Sequence, residues 1–279
     1  MEILAIILNF LDFRTQKNLI SASKKNRVLV DYLTIKECVY VNEKTTKSHF
    51  YDYLEYIAVY NIPKRYPKKL KKLNIDYNCY KPITNIPMSV THLRFNGYCI
   101  GCVSQSNIKY LTFSDYFDRP VSKGDIPTSV THLKFGYKFN QRLAPGSIPS
   151  SVTHLKFGHD FNQSIKNVIP NSVICLIFGA RFNQPIICGN IPDSVEYLVF
   201  GWDFNQSIEN CIPESVIHLE FGRRFNRSIW KCIPSSVQRL RFDNKLDKDT
   251  IKYCVPDTVK KLAFRNYISP TWESFWGSK

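Results

Sequence analysis

Apolar residues in this chain recur in one short arrangement, V-x-x-L-x-F, with polar or variable residues between. Val152, Leu155 and Phe157 are one instance. Val90/Leu93/Phe95, Ile108/Leu111/Phe113, Val130/Leu133/Phe135, Val173/Leu176/Phe178 and Val195/Leu198/Phe200 repeat it. Val216/Leu219/Phe221, Val237/Leu240/Phe242 and Val259/Leu262/Phe264 continue it, and Leu70/Leu73/Ile75 is a weaker first member. Residues two apart lie on one face of a strand. Each of these ten units is therefore expected to hold one short strand with an apolar inner face and a variable outer face. A lone strand of this length has nowhere to bury its apolar face. Ten stacked in parallel do, over a sheet of roughly 45 Å at the usual inter-strand spacing.

The period is marked by proline. From Pro127 onward, Pro149, Pro170, Pro192, Pro213, Pro234 and Pro256 follow at steps of 22, 21, 22, 21, 21 and 22 residues. Pro67 and Pro87 precede them, and the 40-residue gap before Pro127 is two periods with the middle proline replaced. A unit this small has room for one strand and an irregular return path, which is the leucine-rich-repeat size class. Gly136, Gly158, Gly179, Gly201 and Gly222 follow the strand phenylalanine, where the strand is expected to end in a residue that tolerates a turn and positive φ. Three residues later come Phe139–Asn140, Phe161–Asn162, Phe182–Asn183, Phe204–Asn205 and Phe225–Asn226, with Phe117–Asp118 and Leu246–Asp247 as frayed ends. The phenylalanines are expected to stack as a spine, and each asparagine amide to bond the turn of the adjacent repeat.

With Leu and Phe inward, the residues before and between them form the outer face. In the second half of the chain these are His132/Lys134, His154/Lys156, Cys175/Ile177, Tyr197/Val199, His218/Glu220 and Arg239/Arg241. We take them as the candidate partner-binding face, since the sheet face of a solenoid is its usual binding surface. The early part is basic and imidazole-rich. Cys175, Ile177, Tyr197 and Val199 form an apolar patch, expected either to meet a protein partner or else to be shaded by loops or simply to fill space. His132 and His154 are expected side by side, without the further ligands a metal site requires. Cys211, Cys232 and Cys254 share a column that reads as small apolar packing residues.

Composition adds bounds. The chain has 279 residues, 44% hydrophobic and 22% charged, enough for a core. Formal net charge is +15 and the pI about 9.4. That balance fits either a solubilising surface or an acidic partner, nucleic acid included. The run Lys64–Lys72 is the densest basic cluster; with Tyr66 as its single aromatic it reads first as a solvated start to the repeats. Nine cysteines without a tight framework indicate a reducing compartment. The apolar start, residues 1–11, is too short to span a bilayer, so no membrane partner is expected and the cytoplasm is the expected location, the nucleus second. No catalytic constellation occurs, and no enzyme activity, metal or cofactor is expected.

The unit I-P-x-S-V-x-x-L-x-F-G-x-x-F-N-Q-x-I resembles the FNIP repeat, a leucine-rich-repeat relative abundant in amoebae and in large DNA viruses that infect them. The resemblance implies an FNIP/leucine-rich-repeat-like solenoid over residues 46–265; residues 266–279, "TWESFWGSK" among them, read from their aromatic residues as a cap or tail. Residues 1–45 lack the repeat and read as a small helical module. Their E-I-L-x-x-I-L-x-F-L-D-F run resembles an F-box, the module that docks on the Skp-type adaptor of cullin–RING ubiquitin ligases. Carried over by position, Leu4, Ile7, Leu8, Leu11, Asp12 and Leu19 are the implied adaptor-facing or module-core set. The layout then implies a target-recognition subunit with its target on the solenoid. A scaffold with no ligase link, helices that merely cap the solenoid edge, and a basic solenoid for nucleic acid stay open as alternatives.

Overall fold

A computed structural model describes residues 14–15, 18, 38–48, 51–59, 63–75, 86–95, 107–243 and 254–264. The chain divides into two compact units, Met1–Lys109 and Tyr110–Lys279. The F-box-like positions Leu4, Ile7, Leu8, Leu11, Asp12 and Leu19, the pair Leu246–Asp247 and the aromatic tail lie outside the described residues. Among the described residues no helix is long and apolar enough to cross a membrane.

In the first unit the described strands are β1 (Val39–Tyr40), β2 (Tyr56–Val59), β3 (Lys72–Ile75) and β4 (His92–Phe95), paired in parallel in that order. A single helical turn, α1 (Glu43–Thr46), follows β1; the Asn42 side chain caps it by accepting the Thr45 N–H at 3.0 Å. Two strands thus precede the first one expected, and β1 falls in the segment read as helical. The reason for β2 is visible in hindsight. Leu54, Ile57 and Val59 carry the same inward pattern, fully buried, with Ile57 beside Leu73 and Val59 beside Ile75. They lack both phenylalanine and proline, and Leu54 stands only 16 residues before Leu70.

The second unit contains β5 (Tyr110–Phe113), β6 (His132–Lys134), β7 (His154–Lys156), β8 (Cys175–Ile177), β9 (Tyr197–Val199), β10 (His218–Phe221), β11 (Arg239–Phe242) and β12 (Lys261–Phe264). From β5 to β12 each pairs in parallel with the next, and the register keeps the pattern leucines side by side from Leu111 to Leu262. Turns connect them, without helices, from β5 to β11. The fold is the parallel-strand solenoid that the period implies.

The fixed letters form columns. Strand phenylalanines from Phe113 to Phe242 stack at 5.3 to 5.6 Å between ring centroids. The second column, Phe117 to Phe225, stacks at 6.0 to 6.1 Å. Both columns are buried, and rings of one repeat lie 4.0 to 4.3 Å apart. Burying each ring this completely is worth about 2–3 kcal/mol of transfer free energy, which sets the scale of the core. The asparagine ladder is as expected. Asn140, Asn162, Asn183 and Asn205 each accept the backbone N–H of the next asparagine, at 2.8 to 3.1 Å. Gln163, Gln184 and Gln206 add a second donor to the same oxygens. The serine before each valine has its own role: Ser151, Ser172, Ser194, Ser215 and Ser236 donate to the valine carbonyl of the preceding repeat at 2.7 to 2.8 Å.

The glycine after the strand has a different cause from the one expected. None of Gly136, Gly158, Gly179, Gly201 and Gly222 lies at positive φ. Instead the backbones approach so closely that a Cβ on Gly158 or Gly179 would sit 1.7 Å from the carbonyl oxygen of the preceding glycine. The positive-φ positions form another column, three residues before proline: Gly124, Gly146, Asn167, Gly189, Asn210 and Lys231.

Candidate functional site

The outer face of the second unit alternates as the pattern requires, but its exposure differs from expectation. Cys175, Ile177 and Val199 are 1%, 4% and 6% exposed, and pack together with half-buried Tyr197 against them. The apolar patch is therefore a small second core, of which Ile177 and Val199 also line a groove. In-register parallel strands put like side chains next to one another, and three apolar neighbours in adjacent rows shield each other. Glu220 is likewise buried, while Arg239 is exposed. Burial pushes the Cys175 thiol up to about 12, with the Lys156 charge opposing, so it is protonated and inert.

On the basic side, the rings of Tyr110, His132 and His154 follow one another at 4.4 Å and 4.2 Å between centroids, the first pair tilted by 33° and the second stacked. The Thr131 and Thr153 hydroxyls lie 2.9 Å from the Nδ1 atoms of His132 and His154, fixing each ring. Burial lowers the His154 pKa, which favours the neutral ring in a stack of imidazoles. Among the described residues there is no group of three or more side chains able to hold a metal. Beyond the rings, Lys134 and Lys156 occupy partnered positions on β6 and β7. Both are half-buried. Among the described residues, neither forms an ion pair with a carboxylate. The Lys156 pKa is lowered by burial first and by the Lys134 charge second, against a small opposing effect of Cys175.

At the other end the charges are satisfied. Glu220 faces His218 Nε2 at 2.7 Å and accepts from Arg241 Nη1 at 3.2 Å. The second guanidinium nitrogen of Arg241 donates to Asp243 at 2.8 Å. Between Lys156 and this network lies a groove of about 580 Å³. Its floor is Ile177, Val199 and the backbone of Gly179 and Gly201, and Tyr137, His159, Arg181 and Trp202 line its rim.

The rim residues escaped the sequence reading. They stand one or two places after the glycine, varying inside a fixed frame in the same way as the face residues, and that variability was the available signal. Asp160 anchors them, bonding His159 Nδ1 at 2.7 Å and facing Lys138 at 3.3 Å and Arg181 at 3.5 Å. Burial raises its pKa, but the bonds from His159 and Lys138 and the Arg181 charge outweigh that and hold it below the usual carboxylate range. Asp203 pairs with Arg224 at 3.3 Å, and Arg223 covers the Trp202 ring at 5.1 Å.

Two further expectations are settled locally. In the first unit, the basic run is partly spent at home: Arg65 pairs with Asp52 and covers Tyr51, Lys69 covers Tyr53, and Lys71 pairs with Glu55. In the second, Cys211 donates its thiol to the Ile186 and Glu209 carbonyls, and Cys232 to that of Trp230. Burial raises both thiol pKa values, and both cysteines are free.

Fold and face together define a repeat-solenoid protein of the leucine-rich-repeat type. The sequence profile of the FNIP Repeat matches residues 106–138, 139–181 and 182–224, so the chain carries at least these three FNIP repeats. Among solved structures it is similar to CroV588, described as a novel circular LRR protein structure, at 34% sequence identity and a TM-score of 0.65. That similarity covers 76% of this chain and 33% of CroV588, so the chain spans about a third of its neighbour's length. No curated protein matches the chain.

Proposed function

We propose that the chain is a non-catalytic protein-interaction scaffold that recruits a target to a cullin–RING ubiquitin ligase. The observation that carries the scaffold reading is the division of labour within each repeat. The inward positions are uniform and buried, whereas the outward ones change chemistry from imidazole and lysine to apolar to ion pair across β6 to β11. A surface that varies on a uniform frame is what selective recognition needs. The ligase link rests on the F-box resemblance of residues 1–45, with Leu4, Ile7, Leu8, Leu11, Asp12 and Leu19 facing a Skp-type adaptor. The transfer chemistry would belong to other subunits, this chain supplying proximity.

The test is capture of the full chain by a Skp-type adaptor, compared with a Leu8→Asp/Leu11→Asp variant. The expected result is retention of the parent and loss of the variant. Equal capture of both, or of neither, removes the ligase link and leaves the scaffold. The scaffold is tested by affinity capture from the native cell, comparing the parent with an Arg239→Glu variant on the exposed outer face. A target set unchanged by that variant and by the groove variants below removes the sheet face as the binding surface.

A further inference from the structure

The outer-face groove of the second unit is built with an asymmetry that the fold does not require. Lys134 and Lys156 stand side by side, half-buried, and neither is paired with a carboxylate among the described residues. Two like charges held together in a sheet are destabilising, and partial burial adds to that. Both side chains could be shortened or neutralised without touching the core. At the far end, Glu220 and Asp243 are already bonded by Arg241, and Glu220 also faces His218. The groove thus has a free cationic end, an apolar floor and a neutralised end.

We propose that this groove binds an extended segment of a partner protein carrying an acidic side chain on Lys156, beside Lys134, and an apolar side chain two residues later over Ile177 and Val199. The inference rests on the scaffold reading and names the chemistry of its target. The spacing supports it. From the Lys156 row to the midpoint of the Ile177 and Val199 rows is one and a half strand separations, roughly 7 Å. Side chains two apart on an extended chain, pointing the same way, are also roughly 7 Å apart. A segment crossing the strands therefore meets Lys156 and the apolar floor with consecutive same-side residues. The charge pattern separates such a segment from a nucleic acid. A polyphosphate running the same way would leave the lysines for an apolar floor and then, three strands and roughly 14 Å from Lys156, a guanidinium already held by Glu220 and Asp243.

The experiment pans a displayed library of random twelve-residue peptides against the full chain and against a Lys134→Ser/Lys156→Gln variant. A fluorescent oligothymidylate serves as the competing class. The expected result is enrichment of acidic-x-apolar sequences by the parent, with roughly tenfold weaker binding to the variant and retention by Lys134→Arg. The variant is also expected to melt no lower than the parent, since it loses only an unfavourable charge pair. Enriched peptides that ignore the lysine substitutions overturn the groove and leave the scaffold standing. Acidic peptides with no apolar preference two positions on overturn the two-point geometry. Oligothymidylate that binds through the lysines more tightly than any enriched peptide overturns the protein partner in favour of nucleic acid. No enrichment at all, while the parent still captures targets that Arg239→Glu loses, overturns the groove alone.

Discussion

At the residue scale, the repeat consists of positions with a single physical reason each, and one residue breaks the rule for its column. The turn three residues before proline is left-handed, at φ 80 for Gly146, 56 for Asn167, 81 for Gly189 and 52 for Asn210. Lys231 sits there at φ 54 with a full Cβ. For an ordinary L-residue that conformation costs about 1–2 kcal/mol, which Gly and Asn largely avoid. Lys231→Asn is therefore expected to stabilise the protein by about 0.5–1 kcal/mol, within the range of such backbone effects. Denaturant unfolding checks it through a higher midpoint at unchanged slope. The same column shows why residue-level reading of a repeat is incomplete. The sequence displayed glycines in two places, and the strand-end ones look like turn residues. Only the stacked backbones reveal that the strand-end column is about contact and the other about φ.

At the scale of the element, each strand contributes little alone, and its neighbours decide what its outer face can be. The stack of Tyr110, His132 and His154 across β5, β6 and β7 is an example. The folded state holds the His154 pKa below its ordinary 6.5. A base with a depressed folded pKa binds fewer protons folded than unfolded. Above pH 6.5 both states hold the neutral ring and nothing is lost. As pH falls below 6.5 the unfolded chain takes up the proton first, so stability declines until the folded pKa is passed. Asp160, whose folded pKa lies below 3.8, loses its contribution only as pH falls through and below that value. Unfolding free energy is expected to decrease as pH falls below about 6.5, and His154→Gln to flatten that slope. A slope unchanged by the substitution would show that the stack does not control the ring's protonation. The alternation of inner and outer residues was legible in the letters; the burial of Cys175, Ile177 and Val199 was not. Sequence assigns a side chain to a face, but its neighbours in adjacent strands determine whether water still reaches it.

Over the second unit as a whole, stability is a sum of repeats and their nearest-neighbour contacts. Interior repeats are covered on both sides. At β12 the pattern leucine, Leu262, is 41% exposed, against 1% for Leu240 in β11 and 0% for Leu219 in β10. Less buried apolar area means a lower free energy of local opening. Native-state hydrogen exchange is expected to show protection rising from β12 through β11 to a plateau at β8 to β10. A uniform exchange rate across these strands would mean that the unit opens all at once, with no graded end.

The repeat period, the solenoid class, the inward columns and the asparagine ladder were determined by the sequence itself. Each depends on contacts between equivalent positions one period apart, so local letters repeated faithfully are enough to specify them. Strands β1 and β2 were missed because their unit departs from that period and lacks its marker residues. The groove, the paired network at Glu220, the shielding of the apolar patch and the reason for the strand-end glycines belong to the tertiary structure. They arise where different columns meet across adjacent repeats, at distances of a few ångströms that the order of residues in a single repeat does not encode.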